Sequence, residues 1–428
     1  MFTKQTIKEI DLKGKTVLLR ADYNVPLKDG KITDDYRIKQ SLPTVKYLLD
    51  QGAKLVICSH LGRPNGRVDK AYSLAPVAKR LAKIGGIDVD FVPDCVGKDV
   101  NIAVKKLKAS QVLLLENLRF HPEEEANDKA FAKELAAFSE VFVQDGFGVV
   151  HRAHASTEAI THFLPSVSGF LLENEVDTIT NVMEKPKHPL MAIVGGAKIS
   201  DKLEIIKRFV ELADVLAVGG ALANPFLVAS GLDIGDSLYD KADVDAAKDI
   251  MRLSENESKK RDFVLIIPHD SVVADKIDKS ATTRIIDFSS NSFADIQYYP
   301  KPVPSNAVRI KKHEKILDIG PFTASFIAGA SQLCSTVVWN GTMGVTEVES
   351  LQGPIGPFAR GTQTVIEALI GDLGHKPFSL VGGGDTVGYL ESRQIMGGFN
   401  HVSTGGGASL ELMSGHKLPG VEALLDKK

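Results

Sequence analysis

Short apolar runs rich in β-branched residues recur along the chain and alternate with longer amphipathic segments. In the first half the runs are TVLLRAD, KLVICSH, IDVDFV, QVLLLEN and VFVQDG; in the second they are LMAIVGG, DVLAVGG, FVLIIPHD, KILDIG, TVVWNG, FSLVGGG and HVSTGG. Between them LAPVAKRLAKI, DKAFAKELAAF and DKLEIIKRFVELA carry the helical period. Strand, helix, strand at this pace predicts the α/β class, with parallel sheets covered by helices. The rhythm breaks once, over LPSVSGFLLENEVDTITNVMEKPKHP. Pro165 and Gly169 open the break, and Pro186 and Pro189 close it around one helical pattern, which predicts a helix joining two domains of similar size.

Composition narrows the class of partner. A chain of 428 residues, 43% hydrophobic, is long enough for two or three domains with real cores. A net charge of -3 gives no support to a nucleic-acid or membrane-surface partner. The three cysteines, Cys58, Cys95 and Cys334, are odd in number and in no metal-type spacing, which reads as buried thiols in a reducing cytosol. The start MFTKQTIKEIDLKGK has no apolar stretch of a secretory signal, and no run reaches the ~18 apolar residues of a membrane span. A soluble, cytoplasmic protein is expected.

In open α/β sheets ligands bind beyond the carboxyl ends of the strands, so the polar residues there carry the chemistry. In the first half those ends are cationic. TVLLRADYNVP delivers Arg20, Asp22 and Asn24, with Arg37 following; KLVICSHLGRP delivers His60 and Arg63; QVLLLENLRFHPEEE delivers Arg119 and His121; VFVQDGFGVVHRAHAST delivers His151, Arg152 and His154. Taken singly, an arginine after a strand caps a carbonyl or meets a surface carboxylate. Cations converging from four loops repel unless an anion completes them, and the planar fork of arginine suits phosphate and carboxylate. The first half is therefore expected to bind a small, strongly anionic molecule. Glu123, Glu124 and Glu125 read instead as a solvated helix start, because acids there complement the dipole.

In the second half the strands end in glycines: LMAIVGGAK, VLAVGGA, SLVGGGDT and VSTGGGAS. Such turns let backbone N–H groups approach a phosphate at a helix N-terminus, and four of them predict a polyphosphate ligand such as a nucleotide. Lys198 and Lys202 in GGAKISDK sit where a first helical turn is expected, four residues apart on one face. Two ammonium groups are disfavoured at that end unless a phosphate chain docks there. Asp385, after three glycines, suits Mg²⁺, and Glu347 in NGTMGVTE suits ribose hydroxyls. The dinucleotide fingerprint is missing, since Val387 and Leu410 stand at its third glycine, which argues against a nicotinamide dehydrogenase. The GKT at 14–16 lacks the upstream glycine of a Walker loop, Glu9 standing there.

RADYNVP, SHLGRP, LLENLRFHPEEE, FGVVHRAHAST, GGAKISDK, TVVWNG, GGGDT and HVSTGGGASLE, in this order from about Lys15 to Pro419, together resemble the phosphoglycerate kinase family. The resemblance implies two Rossmann-like domains joined by an interdomain helix and hinge. Their expected bounds are 1–168 for phosphoglycerate, 169–186 for the helix, 187–404 for the nucleotide, and 405–428 for a segment packing back on the first domain. It implies reversible transfer of the acyl phosphate of 1,3-bisphosphoglycerate to MgADP, giving 3-phosphoglycerate and MgATP, in a monomer whose metal is Mg²⁺ on Asp385. Carried over by motif, Asp22, Asn24, Arg37, His60, Arg63, Arg119 and Arg152 hold the phosphoglycerate. Lys198, Lys202, Gly219, Gly220, Asn340, Glu347, Gly383, Gly384, Asp385 and Thr386 belong to the nucleotide. Arg37 and Lys202 are the catalytic pair on the migrating phosphoryl group. A non-catalytic scaffold that keeps the fold would show erosion at Arg37, Lys202 or Asp385, and all three are present. The chain departs from the family pattern at Thr342, Thr346, ALANPFL, Gln144-Asp145-Gly146 and His269, mostly on the nucleoside side, where base preference is set.

Overall fold

The computed structural model describes residues 2–288, 310–351 and 353–427. The chain divides into two compact units, Met1–Asn181 with Thr404–Lys428, and Val182–Ser403. The helix Phe170–Glu184 starts in the first and ends in the second.

The first unit is built on a six-stranded sheet in the order Val89–Val92, Val112–Leu115, Lys54–Cys58, Thr16–Arg20, Val141–Gln144, Ser166–Ser168, parallel throughout. Its strands are apolar at successive positions because both faces are covered. Leu18, Val56, Leu113 and Phe142 pack in one apolar layer, while Val17, Leu19, Ile57, Leu114 and Val143 pack in the other. The helix Lys129–Ala136 begins where Asp128 accepts the Phe131 N–H, and Ala75–Gly85 stops at Gly86, whose φ of 65° is left-handed. Asp145 caps the joining helix, its Oδ1 accepting the N–H groups of Leu171 (2.9 Å) and Leu172 (3.2 Å). Gly169 is needed for that approach, because a Cβ there would lie 2.2 Å from Asp145 Oδ1. The end of the chain is tied to its beginning: Lys4 Nζ donates to Asp426 (2.7 Å) and to the Glu422 carbonyl (2.9 Å).

The second unit has its own six-stranded parallel sheet, in the order Val264–Ile266, Val215–Val218, Leu190–Val194, Thr336–Asn340, Phe378–Gly382, His401–Val402. KILDIG does not join it. Lys315–Ile319 pairs antiparallel with Asp270–Ala274, which pairs in turn with Arg284–Asp287, making a separate three-stranded sheet. A short apolar run identifies a strand but not its neighbour, which pairing across the chain decides. Among the described residues no helix is long and apolar enough to cross a membrane.

Candidate active site

In the first unit Arg20 pairs in register with Cys58 on one side and Gln144 on the other, so the central strands end level and their loops open on one edge. Arg20 itself turns inward. It is 1% exposed, its Nε donates to Ser156 Oγ (2.8 Å), and Glu124 Oε1 lies 4.0 Å from Nη2. The expectation of a solvated Glu123–Glu125 helix start fails at Glu124, which is fully buried and accepts from Ser156 N (3.0 Å) and Oγ (2.6 Å). Burial pushes its carboxyl up, and Arg20 and Ser156 hold it down. A guanidinium buried under the sheet edge needs a counter-charge, and the middle glutamate of the turn supplies it. Arg20 is thus part of the floor, not a ligand for an anion.

Above this floor the anticipated residues gather. Arg37 Nη1 lies 2.5 Å from Asp22 Oδ2, which fixes the guanidinium while leaving it 29% exposed. Asn24 Oδ1 accepts the Gly62 N–H (2.8 Å), and the Gly62 carbonyl accepts from Arg119 Nη1 (2.9 Å), so three loops are clamped together. Glu125 Oε1 stands 3.1 Å from Arg119 Nε, yet that buried Nε has no hydrogen-bonded acceptor among the described residues. Arg63 and Arg152 are exposed on their loops, Arg152 Nε donating to His151 Nε2 (3.2 Å). His60 is 3% exposed, and burial together with Arg20, Arg119 and Arg37 holds its imidazole well below the usual range. Burial, with Arg20, Arg119 and Arg152 nearby, pushes His154 down to about 4. Neutral imidazoles packed among guanidiniums leave net positive charge for an anion to meet.

In the second unit Asn340 pairs in register with Val194 and with Gly382, which brings Gly195, Gly341 and Gly383 to one edge. Lys198 and Lys202 do not share a helical turn. Lys198 is exposed ahead of the 3₁₀ turn Ser200–Lys202, and the α-helix starts only at Leu203. Lys202 folds back instead, its Nζ donating to Gly195 O (2.8 Å), Asn340 O (3.1 Å) and Asn340 Oδ1 (2.6 Å). The two lysines therefore diverge where a continuous helix would have aligned them. Burial pushes the Lys202 ammonium down to about 8, with Asp385 and Asp201 opposing.

The helix Gly384–Ser392 starts after Gly383, whose φ is 93°. The N–H groups of Gly384, Asp385 and Thr386 have no acceptor within the helix, which makes its start an anion seat. Asp385 is exposed, whereas the Thr386 hydroxyl is already engaged, accepting the Gly341 N–H at 2.9 Å. Accepting that bond leaves both the hydroxyl proton and the backbone N–H of Thr386 as donors for a phosphate. Beside this seat lies a cavity of about 170 Å³, whose lining includes Gly196, Gly220, Thr342, Glu347 and Asp385. Glycine is required at Gly220, which lines the cavity with a φ of 63°, and at its neighbour Gly219, which is not part of the lining but where a Cβ would lie 2.6 Å from Met343 Sδ. The fourth glycine turn is not part of this unit. Gly405–Gly407 falls in the first, where Gly405 packs on Phe147 and Gly407 faces His151. Sequence reasoning missed Ser271, which also lines the cavity, because a serine inside an apolar run carries no mark of a ligand.

The comparisons with known proteins cover both units. The family model described as phosphoglycerate kinase matches residues 7–416. A phosphoglycerate kinase of Moorella thermoacetica is 43% identical over 424 residues, spanning 99% of this chain and 100% of the relative. One from Pseudothermotoga lettingae is 42% identical, with 99% of each covered. Among solved structures, the phosphoglycerate kinase of Coxiella burnetii aligns with a TM-score of 0.79 at 34% identity over 98% of both chains. That of Pyrococcus horikoshii aligns with a TM-score of 0.78 at 31% identity over 99% of this chain and 98% of its own. Arginines gathered at the strand edge of one unit, a glycine-started helix at that of the other and similarity along almost the whole length agree: the chain belongs to the phosphoglycerate kinase family, the glycolytic kinases that act on 3-phosphoglycerate with ATP and ADP.

Proposed function

We propose that Arg37 and Lys202 are the two cations that meet the phosphoryl group as it moves between the acyl phosphate of 1,3-bisphosphoglycerate and MgADP. The observation that carries this reading is the Lys202 ammonium, held by Gly195 O, Asn340 O and Asn340 Oδ1 at the strand edge that also carries Gly383. A phosphate chain seated on the N–H groups of Gly384, Asp385 and Thr386 places its terminal phosphorus within that lysine's field. Arg37, Arg63, Arg119 and Arg152 then hold phosphoglycerate together with Asp22, Asn24 and His60, Asp22 fixing the Arg37 guanidinium, and Arg119 Nε, which meets Glu125 only as an ion pair at 3.1 Å, is a donor the ligand satisfies. Lys198 reaches the nucleotide phosphates, Asn340 positions Lys202, Glu347 meets the ribose, and Gly219 and Gly220 form the wall for the base.

Asp385 fits a divalent hard cation, since it is an exposed carboxylate at the phosphate seat and such ions take one or two carboxylates plus phosphate oxygens. Bound there, Mg²⁺ neutralises charge on the phosphate chain. Transfer is in-line and direct. The carboxylate of 3-phosphoglycerate is already ionised at neutral pH, so no general base is required, which suits a site of Arg and Lys without a paired acid and base. Because the two ligands belong to different units, turnover requires the units to close, with 170–185 and Ser403-Thr404 as the hinge, excluding water from an acyl phosphate. We further infer a cytoplasmic monomer.

The test is ADP formation from MgATP, with and without 3-phosphoglycerate. Turnover strictly dependent on 3-phosphoglycerate supports the reading. A folded sample that forms no ADP with it refutes the reading.

A further inference from the structure

Among the described residues of the second unit several buried polar atoms have no hydrogen-bond partner, and two of them belong to residues lining the cavity described above: Asn224 Oδ1 and Ser271 Oγ. Asn224 is fully buried at the first position of the helix Asn224–Ala229, and Ser271 is 1% exposed in the central strand of the antiparallel sheet. Leaving such atoms unpaired in the interior costs free energy that a ligand's complementary groups recover. The amide of Asn224 cannot turn freely, because its Nδ2 donates to the Leu238 carbonyl at 2.8 Å. A carbonyl accepts only from a donor, so the nitrogen end is fixed there and Oδ1 is left as an acceptor. The rest of the lining is largely apolar, including Leu227, Leu238, Pro268, Ile316 and Leu317, with Asp318, Thr342, Glu347 and Asp385 as its other polar members. An apolar slot with one fixed acceptor and one hydroxyl suits the edge of a flat heteroaromatic ring carrying an amine beside a ring nitrogen.

We propose that Asn224 and Ser271 read the nucleobase of this kinase: Asn224 Oδ1 accepts the 6-amino group of adenine, and the Ser271 hydroxyl donates to an adjacent ring nitrogen. The inference rests on the reading of this cavity as the nucleoside side of the site. A 6-oxo purine presents an acceptor to Oδ1, which meets it with repulsion instead of a hydrogen bond. Specificity therefore comes from a buried polar group that the wrong base leaves unpaired, the situation in which discrimination is strongest. Asn224 lies in ALANPFL, the stretch in which this chain departs from the family pattern.

The experiment compares MgATP with MgITP as phosphoryl donors at saturating 3-phosphoglycerate, in the native protein, Asn224→Leu and Ser271→Ala. The native protein should prefer ATP by about tenfold or more in kcat/KM, and Asn224→Leu should bring the ratio to within about threefold. Ser271→Ala should raise KM for MgATP about threefold or more, with KM for 3-phosphoglycerate and the thermal midpoint unchanged, since that hydroxyl has no protein partner to lose. If Asn224→Leu does not fold, Asn224→Ala carries the same ratio test without added bulk. A native protein that turns over ITP as well as ATP overturns the proposal. So does an Asn224 variant in which KM for both nucleotides rises in parallel at an unchanged ratio, which leaves the cavity as the base site but not Asn224 as its reader. Unchanged KM for both nucleotides in every variant overturns the base-site reading along with it.

Discussion

Replacing Lys202 with methionine separates a catalytic from a structural role for this residue. Methionine keeps most of the stem and removes the ammonium with its bonds to Gly195 O, Asn340 O and Asn340 Oδ1. Asn340 O retains the Gly195 N–H as a partner (2.9 Å), so two acceptors lose their donor, at about 1–3 kcal/mol each. Against this, the ammonium is itself strained: a pKa of about 8 in place of 10.5 means that holding the charge costs the fold about 3 kcal/mol at neutral pH. The two effects nearly cancel, and the unfolding free energy of Lys202→Met should stay within about 2 kcal/mol of native. Turnover should not survive. Losing a cation from the transferring phosphoryl group costs about 10³-fold or more in kcat. The assay is coupled ADP release at saturating substrates beside a denaturant titration. Turnover within about tenfold of native would refute the assignment. The same lysine sets a pH dependence. Below pH 8 it is charged in both folded and unfolded chains; between about 8 and 10.5 the unfolded chain binds the extra proton, so this residue's contribution to stability rises with pH. Activity runs the other way, and kcat/KM should fall above pH 8 as the free enzyme's ammonium is lost. Lys202→Arg should remove that limb even if its maximum rate is lower.

Three further outcomes test other parts of the molecule. Glu124→Gln strands Arg20 as an uncompensated buried charge and should cost about 3–5 kcal/mol in a urea titration, where exposed Glu123→Gln should cost under about 0.5. His154, pushed down to about 4, is neutral in the fold while its unfolded counterpart titrates near 6.5, so stability should drop as pH falls from 6.5 to 4, by about 3 kcal/mol; His154→Gln should flatten the slope seen by thermal denaturation in that window. Asp385→Asn should raise the dissociation constant for MgADP at least about tenfold in calorimetry, while binding of ADP in the presence of a chelator changes far less.

Periodicity alone placed the strands of both parallel sheets except Ser166–Ser168, which lies in the stretch where the rhythm breaks, and it placed the joining helix, because burial on two covered faces leaves near-continuous apolar runs. The chemistry of the strand ends was equally open to reading: Asp22, Arg37 and Arg119 reach one edge because parallel strands end level and their loops follow in order. What the linear pattern could not contain is which partner each polar group finds. Glu124 looks like its exposed neighbour Glu123, and only the fold puts it beneath Arg20. Lys198 and Lys202 share a helical spacing, but the chain delays its helix to Leu203 and sends Lys202 back to Gly195 and Asn340. KILDIG has the apolar content of a parallel strand and pairs elsewhere, and Asn224 and Ser271 acquire a common cavity only through the packing of a helix start against an antiparallel strand. Sequence determined the elements and the charge they carry to the sheet edges, since those follow from local period and composition. Tertiary structure decided which charges are satisfied inside and which are left for a ligand, since hydrogen-bond partners are chosen across the chain by packing.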